Sequence, residues 1–137
     1  MRHWLMKSEP SAYSWDDLVR DKHTSWNGVR NFQAANNLKA MKIGDRAFFY
    51  HSNEGKAIVG VVEITRAAYP DPSDKAGRFV MVDVRPLMPV KIPVTLAAIK
   101  ADPRLKSFAL LRQSRLSVSP VESPKWAILS GMAGLKP

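Results

Sequence analysis

The sequence contains no cysteine, which excludes disulfides and thiolate-bound metals and fits a reducing compartment. No apolar run approaches the roughly 20 residues that cross a bilayer. The opening MRHWLMKSEP has too short an apolar stretch and too many polar side chains for a secretory signal. The expectation is a cytoplasmic protein with no membrane partner, nucleoid-associated if its target is DNA. Glycine is sparse: the seven glycines sit singly, so neither a phosphate-cradling loop nor a dinucleotide fingerprint exists. The three histidines, His3, His23 and His51, lack metal-ligand spacing, and no metal or other cofactor is expected. No serine lies in a nucleophile elbow. Asp16 and Asp17 are adjacent and diverge on a helix, where capping accounts for them better than paired acid–base work. Asp71 and Asp74 are the other pair. Nothing in the sequence demands an enzyme.

Acidic residues are also few, 12 against 21 lysines and arginines, for a formal charge of +9 over 137 residues. The excess is uneven: residues 1–68 hold 10 basic and 7 acidic side chains, residues 69–137 hold 11 and 5. Lys100, Arg104, Lys106, Arg112 and Arg115 face a single acid, Asp102, within one short window. Charge of this kind suits nucleic-acid phosphates, and a solvated surface that maintains solubility is the plainer alternative.

What is present reads as one domain, residues 1–137, with 45% hydrophobic residues and no linker or repeat. HWLMK (3–7) predicts a strand stopped by Pro10. Ser14 with Asp17 three residues on predicts a capped helix ending near Lys22. Val29, Phe32, Ala35, Leu38 and Met41 recur every three positions and predict a helical apolar face. RAFFYH (46–51) and AIVGVVEITRAAY (57–69) predict a β-hairpin. RFVMVDVRPLMPV (78–90) predicts a strand that fades at Pro86 and Pro89, on an edge or a bulge. Short helices follow at 95–101, capped by Thr95, and at 103–111, capped by Asp102. RLSVSPV (115–121) suits a closing strand, and Ser123 with Pro124 opens a last helix to 132. Strands interleaved with short helices define an α+β class, with a mixed or antiparallel sheet curled into a small barrel.

The stretch SWNGVRNFQAANNL (25–38) breaks local rules. It carries five amides, Asn27, Asn31, Gln33, Asn36 and Asn37, where better helix formers would serve. Trp26 stands there in a polar setting, away from the apolar stripe, whereas Trp4 and Trp15 read as core. An indole beside amides and Arg30 suits stacking on a nucleobase with amides reading its edge. A buried structural tryptophan and a turn made by Asn27-Gly28 explain the same residues.

MKSEP (6–10), YSWDDL (13–18), WNGVRNFQAANNLKAMKIGD (26–45), FFYHSN (48–53), IVGVVEI (58–64), YPD (69–71), VDV (82–84) and LLRQSRLSVSPV (110–121) together resemble the EVE domain family, over nearly the whole chain. The resemblance implies a PUA-like fold, related to the YTH domain, and a reader of modified bases: modified cytosine in DNA or a methylated base in RNA. It implies a base pocket with Lys7 and Ser8 at its floor, Trp26 as a stacking wall, Arg30 and Asn31 following it, and Ser52 and Asn53 opposite. Phe79 stands where relatives often carry tryptophan before the Val-Asp-Val strand, a smaller wall. Ser119 stands where they carry glutamine. The expected partner is nucleic acid bearing a modified base, bound by a monomer. Two other readings stay open: a PUA-type RNA-binding protein indifferent to modification, and a nucleotide-processing enzyme using Glu9, Asp17 or Asp71.

Overall fold

The computed structural model describes residues 1–135. Six strands form one mixed sheet: β1 His3–Ser8, β2 Thr24–Ser25, β3 Arg46–His51, β4 Ala57–Pro70, β5 Val80–Thr95 and β6 Val118–Val121, in the order β2-β5-β4-β3-β1-β6. The helices are α1 Trp15–Asp21, α2 Phe32–Ala40, α3 Leu96–Ala101, α4 Ala109–Arg112 and α5 Ser123–Met132, with a 3-10 turn at Pro103–Leu105. β1 runs parallel to β3, and every other pairing is antiparallel. The result is the expected α+β, PUA-like sheet with short peripheral helices.

Alternation along the strands divides the core. Trp4, Met6, Ala47 and Phe49 join a cluster with Trp15, Trp26 and Leu38 on one face. Leu5, Phe48 and Tyr50 point the other way, to Ile99, Phe108 and Trp126. Trp126 is sandwiched there, its ring centroid 3.9 Å from Phe48 and 4.2 Å from His3. Helix α2 contacts β4, β5 and β6 together, so the sheet curls around it. The fully buried Trp4 is anchored by its indole N–H donating to Asp45 at 3.1 Å.

The Ser14–Asp17 capping box forms as read, and α1 closes on Lys22 at φ 69°. Thr95 caps α3 and Asp102 caps the 3-10 turn. Other expectations need correction. The 103–111 helix is two pieces, the 3-10 turn and α4. Ser123 is the first helical residue of α5, Glu122 the cap position, so Pro124 falls one place further in. The long strand does not fade at Pro86 and Pro89 but continues to Thr95. β2 pairs only Asp83 and Val84, so β5 beyond it is a sheet edge. There a missing N–H costs no ladder bond, and register shifts against β4 absorb the bends. Helix α2 starts at Phe32, not Val29, because Asn31 is extended and caps it. Phe32 consequently leaves the apolar face and is 61% exposed.

Candidate functional site

The parallel pairing of β1 and β3 brings the C-terminal ends of both strands to one rim, Ser8 opposite His51. The loop after β1 and the tip after β3 are then tied together. Ser52 N–H donates to the Ser8 carbonyl at 3.0 Å, and Asn53 Nδ2 donates to Glu9 Oε1 at 2.7 Å. Asn53 holds φ 65° there, a left-handed conformation that asparagine tolerates better than most residues. His51 Nε2 accepts the backbone N–H of Trp15 at 3.1 Å and so fixes the start of α1 beside this rim. Burial lowers the His51 pKa, which keeps the ring an acceptor.

Beside that rim lies a cleft of about 430 Å³, lined by Lys7, Ser8, Glu9, Ala12, Tyr13, Thr24, Ser25, Trp26 and Asn27. Trp26 is a wall of it although only 8% exposed. Its ring meets Phe49 edge-on at 5.5 Å, and its backbone N–H donates to Val82 at 2.7 Å. The indole is therefore both core and cleft surface. Tyr13 donates its hydroxyl to Asp21 at 2.9 Å, and burial raises its pKa. Ser25 Oγ lies 3.1 Å from the Tyr69 hydroxyl, which in turn bonds Asp83. Lys7 reaches the Ser114 carbonyl at 2.8 Å, and partial burial lowers its pKa. A second cavity of about 230 Å³ shares Lys7 and is lined also by Tyr50, Ser52, Asn53, Lys56, Leu96, Leu110 and Ser114.

Of the residues the sequence nominates, Lys7, Ser8 and Trp26 meet in the cleft, and Ser52 and Asn53 join Lys7 in the adjoining cavity. Arg30, Asn31 and Phe79 line neither. Asn31 spends its side-chain oxygen on the N–H of Ala34 at 2.9 Å. Phe79 is buried and stacks under Phe32 at 4.9 Å, with the Arg30 guanidinium 5.4 Å from its ring. Arg30 pairs with Asp71 at 3.2 Å and donates to Ser73 at 2.9 Å. Asp71 also accepts from Gly28 N–H at 2.8 Å and from both donors of Ser73. Burial alone would raise its pKa, but the hydrogen bonds from Ser73, Gly28 and Arg30 outweigh it and hold the carboxyl at about 2. This carboxylate clamps the turn behind Trp26 and is a poor proton donor at neutral pH. Asp17 is committed to the α1 cap.

Residues that motif reading passed over also face the cleft: Ala12, Tyr13, Thr24 and Ser25. Ser25 opens the rule-breaking stretch and Thr24 precedes it, which was the available signal for both. For Tyr13 the signal was its place at the head of the YSWDDL motif, just before the capping box. Ser119 is buried in β6 opposite Leu5, not at the cleft.

In the basic window, Arg104, Lys106 and Arg112 line one surface hollow of about 480 Å³ with Pro103 and Ser107. Arg104 is held by Asp102 at 2.7 Å. Lys100 lines a different hollow with Lys56, and Arg115 is exposed one residue after Ser114.

A curled mixed sheet with a cleft at the paired ends of its parallel strands defines a PUA-like α+β domain. The EVE domain model matches residues 2–132, and the chain belongs to the EVE domain family. It is 35% identical to thymocyte nuclear protein 1 of Homo sapiens over 169 aligned residues, covering 98% of this chain and 75% of that protein. Among solved structures, Rpa0253 from Rhodopseudomonas palustris superposes with a TM-score of 0.93 at 54% identity, covering 98% of this chain and 94% of that one. Human THYN1 protein in complex with DNA containing 5-methylcytosine superposes with a TM-score of 0.92 at 34% identity, covering all of both chains. No helix among the described residues is long and apolar enough to cross a membrane.

Proposed function

We propose that this protein is a non-enzymatic reader of a modified base, with modified cytosine in DNA as its ligand class. The base leaves its strand and enters the cleft between Trp26, Tyr13 and Lys7. The observation that carries this reading is the indole of Trp26, held against Phe49 and the β5 backbone yet presented to a mostly polar cleft lined by hydroxyls, the Asn27 amide, the Lys7 amine and Glu9, whose carboxylate is bonded by Asn53. Such a wall loses little freedom on binding, which favours affinity. Extruding a base costs a few kcal/mol, and stacking returns about 1–3 kcal/mol per base, with edge hydrogen bonds adding to it. The human relative bound to DNA containing 5-methylcytosine supports the same ligand class.

In this reading Ser8, Ser25 and Asn27 offer edge-reading donors and acceptors, while Ser52 and Asn53 stand in the adjoining cavity. Arg30, Asn31 and Phe79 support the wall from behind instead of touching the base. Lys100, Arg104, Lys106, Arg112 and Arg115 hold phosphates, so they set affinity while the cleft sets base identity.

The test is tryptophan fluorescence, titrated with cytidine, adenosine and guanosine and their methylated and hydroxymethylated forms, in the deoxy and ribo series. Saturable quenching by a modified deoxycytidine, absent from a Trp26→Phe variant, is the expected result. Equal affinity for modified and plain strands, with no nucleoside response, would overturn it in favour of an RNA-binding domain indifferent to modification. Turnover of nucleotide would overturn it in favour of an enzyme.

A further inference from the structure

The cleft does not stand alone. It shares Lys7 with the cavity of about 230 Å³. That cavity shares Lys56 and Leu96 with a third hollow of about 310 Å³, which ends at Lys100. Three concavities thus follow one another, with an amine at each junction and another at the far end. None of Lys7, Lys56 and Lys100 has a carboxylate within 4.0 Å among the described residues. Glu9 is the one acid in the three linings, and the Asn53 amide holds it. Between the amines, Tyr50, Leu96 and Leu110 supply apolar floor, and Ser52 and Ser114 supply polar atoms.

Resting on the base-reading assignment of the cleft, we propose that these hollows form one track for the strand that carries the base. The track follows that strand on one side only, from Trp26 past Lys7 and Lys56 to Lys100. Amines spaced along a groove with apolar floor between them suit a sugar–phosphate chain, whose charges alternate with sugars and bases. The cleft's other wall offers no such path. There the nearby cations are already paired: Arg20 with Asp21 at 2.9 Å, which also accepts the Tyr13 hydroxyl, and Arg30 with Asp71 at 3.2 Å, which also holds the turn after Trp26. The protein therefore recognises the base together with the neighbouring nucleotides on one flank.

The experiment uses single-stranded DNA with one 5-methylcytosine, flanked on both sides, on the 5′ side only or on the 3′ side only. Affinity is measured against salt for the full chain and for Lys56→Gln, Lys100→Gln and the double variant. Removing one flank is expected to weaken binding while removing the other does not. Each substitution should reduce the salt slope by about 0.7, the value for one phosphate contact on a single strand. On DNA lacking the tracked flank the variants should match the unsubstituted protein. Lys39→Gln, on the exposed side of α2, should leave the slope unchanged. Equal losses on both flanks, or slopes in the double variant equal to those of the unsubstituted protein, would overturn the track. Replacing 5-methylcytosine by cytosine separates the two assignments. Flank asymmetry without base preference sustains the track and removes the cleft reading; base preference without asymmetry does the reverse.

Discussion

The backbone N–H of Gly28 donates to Oδ2 of Asp71 at 2.8 Å, across 43 residues of chain. Arg30 reaches the same oxygen at 3.2 Å, so the turn that follows Trp26 is fastened twice to one buried carboxylate. Gly28 sits there at φ 81°, a conformation that favours glycine. Replacing Asp71 by Asn places an amide where two donors converge. The expected cost is about 2 kcal/mol, the scale of a lost charge-assisted hydrogen bond in a buried setting. Urea unfolding measures it. Nucleoside affinity should fall as well, because Trp26 loses its fixed neighbour.

The same carboxylate sets an acid limit. Its folded pKa of about 2 lies below the ordinary aspartate value of about 3.9. Its contribution to stability is therefore complete above that ordinary value and disappears as pH falls toward 2. Unfolding followed between neutral pH and about pH 2 should show a drop in this window that Asp71→Asn lacks.

The amides of residues 27–37 divide by task. Asn31 caps α2, and Asn37 Nδ2 donates to the Val118 carbonyl at 2.7 Å, tying α2 to β6. Asn31→Ala and Asn37→Ala should each lower stability by about 1 kcal/mol and leave base preference intact in the folded protein. Asn27→Ala should do the opposite, altering nucleoside affinity with little change in the unfolding midpoint, since Asn27 is an exposed lining residue.

Gly60 is required by an indole. A Cβ there would stand 2.4 Å from the Trp15 ring, in a strand partnered with Phe49. Gly60→Ala should destabilise by about 1–3 kcal/mol through overpacking, and Trp15→Phe in the same chain should recover part of the loss. Thermal melts of the two single variants and the double variant check this.

Within the basic window, Arg104 is already neutralised locally by Asp102. Lys106→Gln and Arg112→Gln should each reduce the salt slope of DNA binding by about 0.7–0.9. Arg104→Gln should reduce it less. Titrations over a range of salt concentrations distinguish the three.

Much of this architecture was readable locally. The capping box of Ser14 and Asp17 and the caps Thr95 and Asp102 rest on neighbours within a few residues, as does the alternation in β3 and β4. Positions decided by distant partners were not readable. Phe32 fits a three-residue repeat, yet Asn31 starts the helix late and sends that ring outward to Phe79. Arg30 follows Trp26 in sequence but is drawn away by Asp71. The strand through Pro86, Pro89 and Pro93 survives because β2 is only two residues long, a fact of pairing and not of propensity. Trp26 was ambiguous between core and pocket for a physical reason: one ring serves both, with Phe49 at its edge and the cleft beside it.

The parallel alignment of β1 with β3 has a consequence for how such a protein can change its ligand. Both strands deliver their following loops, 9–14 and 52–56, to the same edge, while the ladder between His3 and Ser8 and its partners stays untouched. Two separate loops, one at the cleft and one at the adjoining cavity, can therefore be lengthened, shortened or rewritten on one stationary pair of strands. The scaffold behaves as a fixed jaw with two exchangeable fingers, and new specificities need no new fold.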